Sequence, residues 1–152
     1  MTRPFKYPTA EELPNDQMVE EPAVLFSTVE HRGEVIDRIK AGLPATSFEK
    51  LRNEFGVTAA ELAQTLNINM RTLSRRKQSG KLDVDESERV YRLARLFQIA
   101  LNLFEDAELT RRWFASPKEV FSGQTPLNYA DTEPGAQEVE KLLRRLEHGV
   151  FY

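Results

Sequence analysis

The 152-residue sequence contains no cysteine. Disulfides, thiolate nucleophiles and cysteine-based zinc sites are therefore excluded. Its two histidines, His31 and His148, lie far apart, and each reads as a solvated helix-end residue rather than a ligand or general base. No apolar run approaches the roughly eighteen residues of a membrane span. The N-terminal stretch MTRPFKYPTAEELPNDQ lacks the apolar core of a signal peptide. There is no glycine-rich phosphate loop, and carboxylates such as Glu138, Glu140 and Glu147 fall at solvent-facing helical positions. The expectation is a cytoplasmic protein, not an enzyme, with no cofactor and no metal. Sustained period-two alternation, the signature of half-buried strands, is missing as well, so the expected class is all-α.

The composition is that of a soluble globular protein, 40% hydrophobic and 30% charged. The length allows one ordinary domain or two small ones. Charge is distributed unevenly. Residues 62–82 hold five cations (Arg71, Arg75, Arg76, Lys77 and Lys81) and no acid, while the whole chain carries −3, so the remainder carries −8. A cationic segment in an acidic chain points to one anionic partner at one surface, most simply nucleic acid.

Helix punctuation is dense. Residues 1–26 contain Pro4, Pro8, Pro14 and Pro22 among acids and read as a flexible tail. Ser27 with Glu30 has capping-box spacing, and Gly42 and Pro44 end that helix. Thr46 with Glu49 opens the next, which Gly56 stops. Thr58 with Glu61 opens a third, with Val57 and Leu62 spaced as a hydrophobic staple. Asn69 caps a fourth, with Ile68 and Leu73 as its staple and Gly80 as its terminator. Asp83 with Glu86 opens the longest helix, about 84–104. Shorter helices are expected after Asp106, after Ser116-Pro117 and after Thr125-Pro126, where proline suits the first helical position. The last helix runs from about Pro134 to Glu147 and ends at Gly149.

The third and fourth helices have the form of a helix-turn-helix: a short helix, a tight turn, and a second helix with an exposed face suited to the major groove. Ala59, Leu62, Ala63, Leu66, Ile68 and Leu73 supply the buried faces. Asn69, Met70, Arg71, Thr72, Ser74, Arg75, Arg76 and Gln78 remain to face outward. Arg71 and Arg75 are four apart and share a face, so they are the candidates for bidentate contact with guanine. Met70 or Thr72 suits a thymine methyl. Arg76, Lys77 and Lys81 are expected at phosphates, which position a helix without reading sequence.

In the long helix, Val90, Leu93, Ala94, Phe97, Leu101 and Phe104 mark one face. Leu96, Ile99, Ala100 and Leu103 widen it until the C-terminal half is apolar nearly all round. A helix of that kind is deeply buried or shared with a partner. Leu96, Phe97, Ala100, Leu103 and Phe104 are accordingly a candidate homodimer surface, the alternative being a strip of the protomer's own core. Trp113 reads as a core or domain-junction residue. The chain ends EHGVFY, and its two terminal aromatics are expected to dock, either on their own core or on another protein.

The segments NMRTLSRRKQSGKLDVDESERVYRLARLF and RRWFASPKEVFSGQTPLNYADTEPGAQEVEKLLRRLEHGVFY closely resemble the Xre/MbcA/ParS antitoxins, partners of RES-domain toxins. The likeness spans about residues 28–152. It rests on TLSRRK, the GQTPL turn, the helix EVE-x-LL-R-LEHG and the aromatic terminus, in that order. Pro134 is a small departure that bears on where the last helix begins. The resemblance implies an Xre-like helix-turn-helix domain (27–82) followed by a small helical toxin-binding and dimerising domain (83–152). It implies a type II antitoxin that silences an NAD-consuming RES toxin and binds its own operator DNA. Carried over onto this chain, the toxin-binding set is Arg144, Arg145, His148, Gly149, Val150, Phe151 and Tyr152, the last four reaching the mouth of the toxin's active site. The runner-up is a stand-alone DNA-binding regulator whose C-terminal domain only dimerises.

Overall fold

The computed structural model describes Leu25 and residues 32–149. The N-terminal tail to residue 24, the Ser27–Glu30 capping pair, His31, and Val150, Phe151 and Tyr152 lie outside the described residues. Eight α-helices follow in order: α1 (Arg32–Ala41), α2 (Thr46–Phe55), α3 (Ala59–Thr65), α4 (Met70–Ser79), α5 (Val84–Phe104), α6 (Ala107–Ala115), α7 (Pro126–Tyr129) and α8 (Glu133–Glu147). A single 3₁₀ turn, Glu119–Phe121, lies between α6 and α7. The described residues form no strand, only an isolated antiparallel bridge between Pro44 and Lys81. The fold is all-α.

The capping side chains set most helix starts, because the first N–H groups of a helix have no partner within it. Thr58 and Asp83 form complete capping boxes with Glu61 and Glu86. Asn69, Asp106 and Thr125 each accept from the N–H three residues on. Gly56 and Gly80 close α2 and α4 in the left-handed conformation. At the staple positions, Val57 is half-buried against the core that holds Leu62, and Ile68 and Leu73 are buried in it.

Three boundaries differ from expectation. Thr46 is the first residue of α2 and not its cap; Ala45 holds the cap position with no side-chain bond. The first N–H groups of this helix bond to nearby backbone instead, Ser47 N–H to Pro44 O at 2.9 Å and Phe48 N–H to Ala45 O at 3.2 Å; across the chain, Ala45 N–H donates to Gly80 O and Leu82 N–H to Leu43 O, both at 2.9 Å. The latter two bonds tie the α1–α2 loop to the α4–α5 loop. Gly42 is obligatory there, since its φ is +90° and a Cβ would stand 2.3 Å from Leu82 O. After Pro117 there is one 3₁₀ turn rather than a helix, because Lys118 N–H is tied to Gln124 O at 3.1 Å. Finally, α8 begins at Glu133 with Thr132 as its cap, and Pro134 sits inside the first turn.

The helix α5 is the spine: α1, α2, α6 and α8 all pack on it. Two ion pairs, Arg92 with Glu133 and Arg95 with Glu140, join it to α8. One core runs through the molecule, across the boundary expected at residues 82 and 83. Phe55 of α2 meets Phe97 of α5 edge-on at 5.1 Å and Phe114 of α6 at 5.0 Å. Such ring pairs add to the burial of their area and join α2 to α5 and α6.

Candidate functional site

The basic helix pair is assembled as its residues dictate. Leu62, Ala63, Leu66, Ile68 and Leu73 are buried, which seats α4 on α3 and turns its polar face out. The first turn of α4 is fixed by Asn69, whose Oδ1 accepts the Thr72 N–H at 2.7 Å. Asn69 therefore acts on the helix itself, with its carbonyl oxygen already engaged. Met70 is 51% exposed at the helix N-terminus, the end that reaches base edges in a groove. Arg71, Ser74, Arg75 and Gln78 are exposed and Thr72 is half-buried. Arg75 makes one long contact, 3.5 Å, to Thr72 Oγ1.

The five cations separate into two groups. Arg71, Arg75 and Lys81 have no ion pair among the described residues. Arg76, expected at a phosphate, is paired within the chain. Its Nε donates to Glu86 Oε1 at 2.7 Å and its Nη2 lies 3.3 Å from Asp83 Oδ2. Glu86 has only 6% of its side chain exposed, so the guanidinium neutralises a buried carboxylate and clamps α4 to the start of α5. That carboxylate holds the Arg76 guanidinium above its ordinary pKa. Lys77 is partly withdrawn too, reaching Glu49 at 3.2 Å. Arg52 is the first cause, and Lys77 a lesser one, of a Glu49 carboxyl held below the usual range. Arg89, absent from the sequence expectations, donates to the Asn67 carbonyl in the turn at 3.4 Å. Only its position on the following helix could have signalled it.

The candidate dimer residues divide as well. Leu96 and Phe97 are each 2% exposed and Ala100 is fully buried, all within the protomer. Phe97 meets Phe55 of α2 and Phe114 of α6, and Leu96 borders the cleft between α5 and α8. Leu103 and Phe104 are half-buried.

At the other end, α8 lays Ala136, Val139 and Leu143 into the core. Gly135 makes this possible: a Cβ there would stand 1.9 Å from Tyr129 O, so only glycine admits the close approach of α8 to α7. Arg95 grips Glu140 with both terminal nitrogens, at 2.7 and 2.9 Å. The Arg95 hydrogen bonds hold the Glu140 carboxyl below the usual range against the opposing effect of burial. A cleft of about 310 Å³ lies over these pairs, lined by Tyr91, Arg92, Arg95, Glu133, Gln137 and Glu140 among others. Of the expected toxin-binding set, Arg144 is engaged by Glu140 and Glu147. Arg145 is half-buried, and His148 and Gly149 are exposed. Gly149 adopts φ +70° with open space around it, where the chain leaves the helix. Val150, Phe151 and Tyr152 lie outside the described residues. None of the described helices is long and apolar enough to cross a membrane.

Two family models match in tandem. Residues 34–95 match the antitoxin Xre-like helix-turn-helix domain, and residues 100–149 match the antitoxin Xre/MbcA/ParS C-terminal toxin-binding domain. A protein of Pseudomonas putida described as "Antitoxin Xre" is 38% identical over 117 residues, 76% of this chain and 72% of that one. Another from Yersinia enterocolitica is 34% identical over 123 residues, 79% and 83% of the two chains. A third, from Photorhabdus laumondii, is 33% identical over 114 residues, 74% and 77%. The chain belongs to the Xre antitoxin family. In this antitoxin the helix-turn-helix match extends to residue 95, well inside α5. The spine helix therefore spans the end of the helix-turn-helix match and the start of the toxin-binding match.

Proposed function

We propose that the chain neutralises a RES-domain, NAD-consuming toxin and represses its own operon, as the antitoxin of a type II pair in the cytoplasm. The observation that carries this reading is the tandem of a helix-turn-helix and a toxin-binding domain in one chain. DNA binding is assigned to the exposed N-terminal half of α4. Arg71 and Arg75 read bases, Met70, Thr72 and Ser74 line the groove, and Lys81 contacts phosphate, with Lys77 a weaker second. Neutralisation is assigned to the C-terminal segment, with Gly149 as the joint from which Val150, Phe151 and Tyr152 enter the toxin's active-site mouth. Two large aromatic side chains on a short tail suit that role, since such residues supply anchor area in a pocket. A homodimer remains part of the proposal, because one helix in one groove buries little surface. Its contact excludes Leu96, Phe97 and Ala100.

The test separates the two modules. Replacing Arg71 and Arg75 together by Ala abolishes operator binding and leaves neutralisation intact. Loss of neutralisation in the folded double variant contradicts the division of labour. Operator affinity also falls with added salt, the logarithmic slope being about 0.9 per neutralised phosphate.

A further inference from the structure

The loop between α6 and α7 is built to hold one apolar side chain out in solvent. Lys118 N–H donates to Gln124 O at 3.1 Å, and Gly123 N–H returns to Lys118 O at 2.9 Å, closing its neck. Ser122 N–H bonds to Glu119 O at 2.9 Å within it. Ser122 and Gly123 both take left-handed backbone, at φ +55° and +83°. Phe121 points inward, 2% exposed and stacked on Tyr129 at 4.5 Å. Its neighbour Val120 is 60% exposed. The loop is thus pinned at its neck and anchored by one ring, with an aliphatic tip in water.

The tip does not stand alone. Leu109, 45% exposed, lies one turn before Trp113 on α6 and shares its face. Trp113 is half-buried and touches the Phe104 ring at 5.9 Å. Lys118 Nζ lies 5.4 Å from the Trp113 ring centre and has no carboxylate partner among the described residues. Burial holds this ammonium below its ordinary pKa, so a carboxylate brought opposite it meets a cation already partly stripped of water. Phe104, Trp113 and Lys118 thus touch in turn, Leu109 shares the α6 face of Trp113, and Val120 follows Lys118 by two residues in the loop; these residues make up the strip.

What covers it follows from where it lies. Among the described residues, the large apolar side chains left exposed are Ile36, Met70, Val84, Leu109 and Val120. Only the last two fall in residues 100–149, the segment that matches a toxin-binding domain. The outer face of α8 in that segment is charged and paired with itself, Glu138 with Lys141 and Arg144 with Glu147. We propose that this strip is a second contact for the toxin, beside the C-terminal tail, with Val120 entering an apolar hollow and Lys118 facing a carboxylate. The proposal rests on the antitoxin reading above. A preformed loop loses little conformational freedom on binding, so the contact appears mainly as slower dissociation.

The experiment measures binding of the full-length chain to its purified RES partner, for wild type, Val120→Asp and Leu109→Glu. Leu109→Glu places a carboxylate three residues after the Asp106 cap, the spacing of a capping box, so it does not weaken α6. Each variant is expected to lose at least about tenfold in affinity, with thermal stability and operator affinity unchanged. Affinities within twofold of a tightly binding wild type overturn the strip and leave the antitoxin reading standing. A change in self-association by light scattering, with toxin affinity intact, assigns the strip to a second copy and overturns it equally. Failure of the wild type to bind removes the antitoxin reading and the strip together.

Discussion

Phe97→Ala distinguishes a core residue from a dimer contact. Phe97 is 2% exposed in the single chain, meets Phe55 edge-on at 5.1 Å and stacks on Phe114 at 6.2 Å. Truncating a buried Phe to Ala costs about 3–5 kcal/mol, from lost transfer energy and the cavity left behind. At about 2–4 °C per kcal/mol for a chain of this size, the midpoint falls by roughly 6–20 °C. Total stability of such a domain is only about 5–15 kcal/mol, so Phe97→Leu serves as the milder companion. The assay is thermal unfolding at two protein concentrations a hundredfold apart. The loss from wild type should be the same at both, because the packing is within one protomer. A variant that melts like wild type when dilute, and differs only by failing to associate, would place Phe97 at an interface and refute the burial argument.

Arg76→Ala should lower thermal stability before it lowers operator affinity, since it leaves the Glu86 carboxylate buried without its cation; melting curves and DNA titrations on the same preparation decide. Glu140→Gln should flatten the acid limb of stability. A carboxyl held below its unfolded value, about 4.3, contributes stability above that pH and loses it as pH falls through the folded value. The gap between wild type and variant, about 1 kcal/mol for a partly exposed pair, should therefore be present at pH 7 and vanish in acid, as read from urea melts across pH. Gly135→Ala should destabilise although alanine is the better helix former, because its methyl collides with the Tyr129 carbonyl; an unchanged melting midpoint would mean that α8 shifts freely.

Much of the fold was legible because caps are local. Thr58, Asn69, Asp83, Asp106 and Thr125 each act on an N–H three residues away, and Gly56 and Gly80 act within one turn, so a linear reading finds them. Thr46 misled because the first N–H groups of α2 are met by the main-chain carbonyls of Pro44 and Ala45, so the helix starts one residue early with no side-chain cap for a sequence pattern to mark. Apolar periodicity in α5 correctly marked a buried helix, but it does not say what does the burying. For Phe97 the cover includes the chain's own Phe55 and Phe114, on α2 and α6, and Leu96 and Ala100 are likewise buried within the protomer. Charge counting does not show which cations are already paired within the chain. Arg76 carries the charge of a phosphate contact, yet its partner Glu86, read only as a cap, lies ten residues on and out of solvent. Val120 left no trace in the sequence, since one valine in a short turn has no period, and only the inward anchoring of Phe121 reveals it.

The central claim is tested most directly by co-expressing the chain with the RES-domain toxin proposed as its partner, scoring growth and cellular NAD, for full-length chain and for a chain truncated after His148. Growth and NAD restored by the full chain alone is the predicted result, and it assigns inhibition to Gly149, Val150, Phe151 and Tyr152. Rescue by both forms would remove the tail from the inhibitory contact, and rescue by neither would contradict the antitoxin reading.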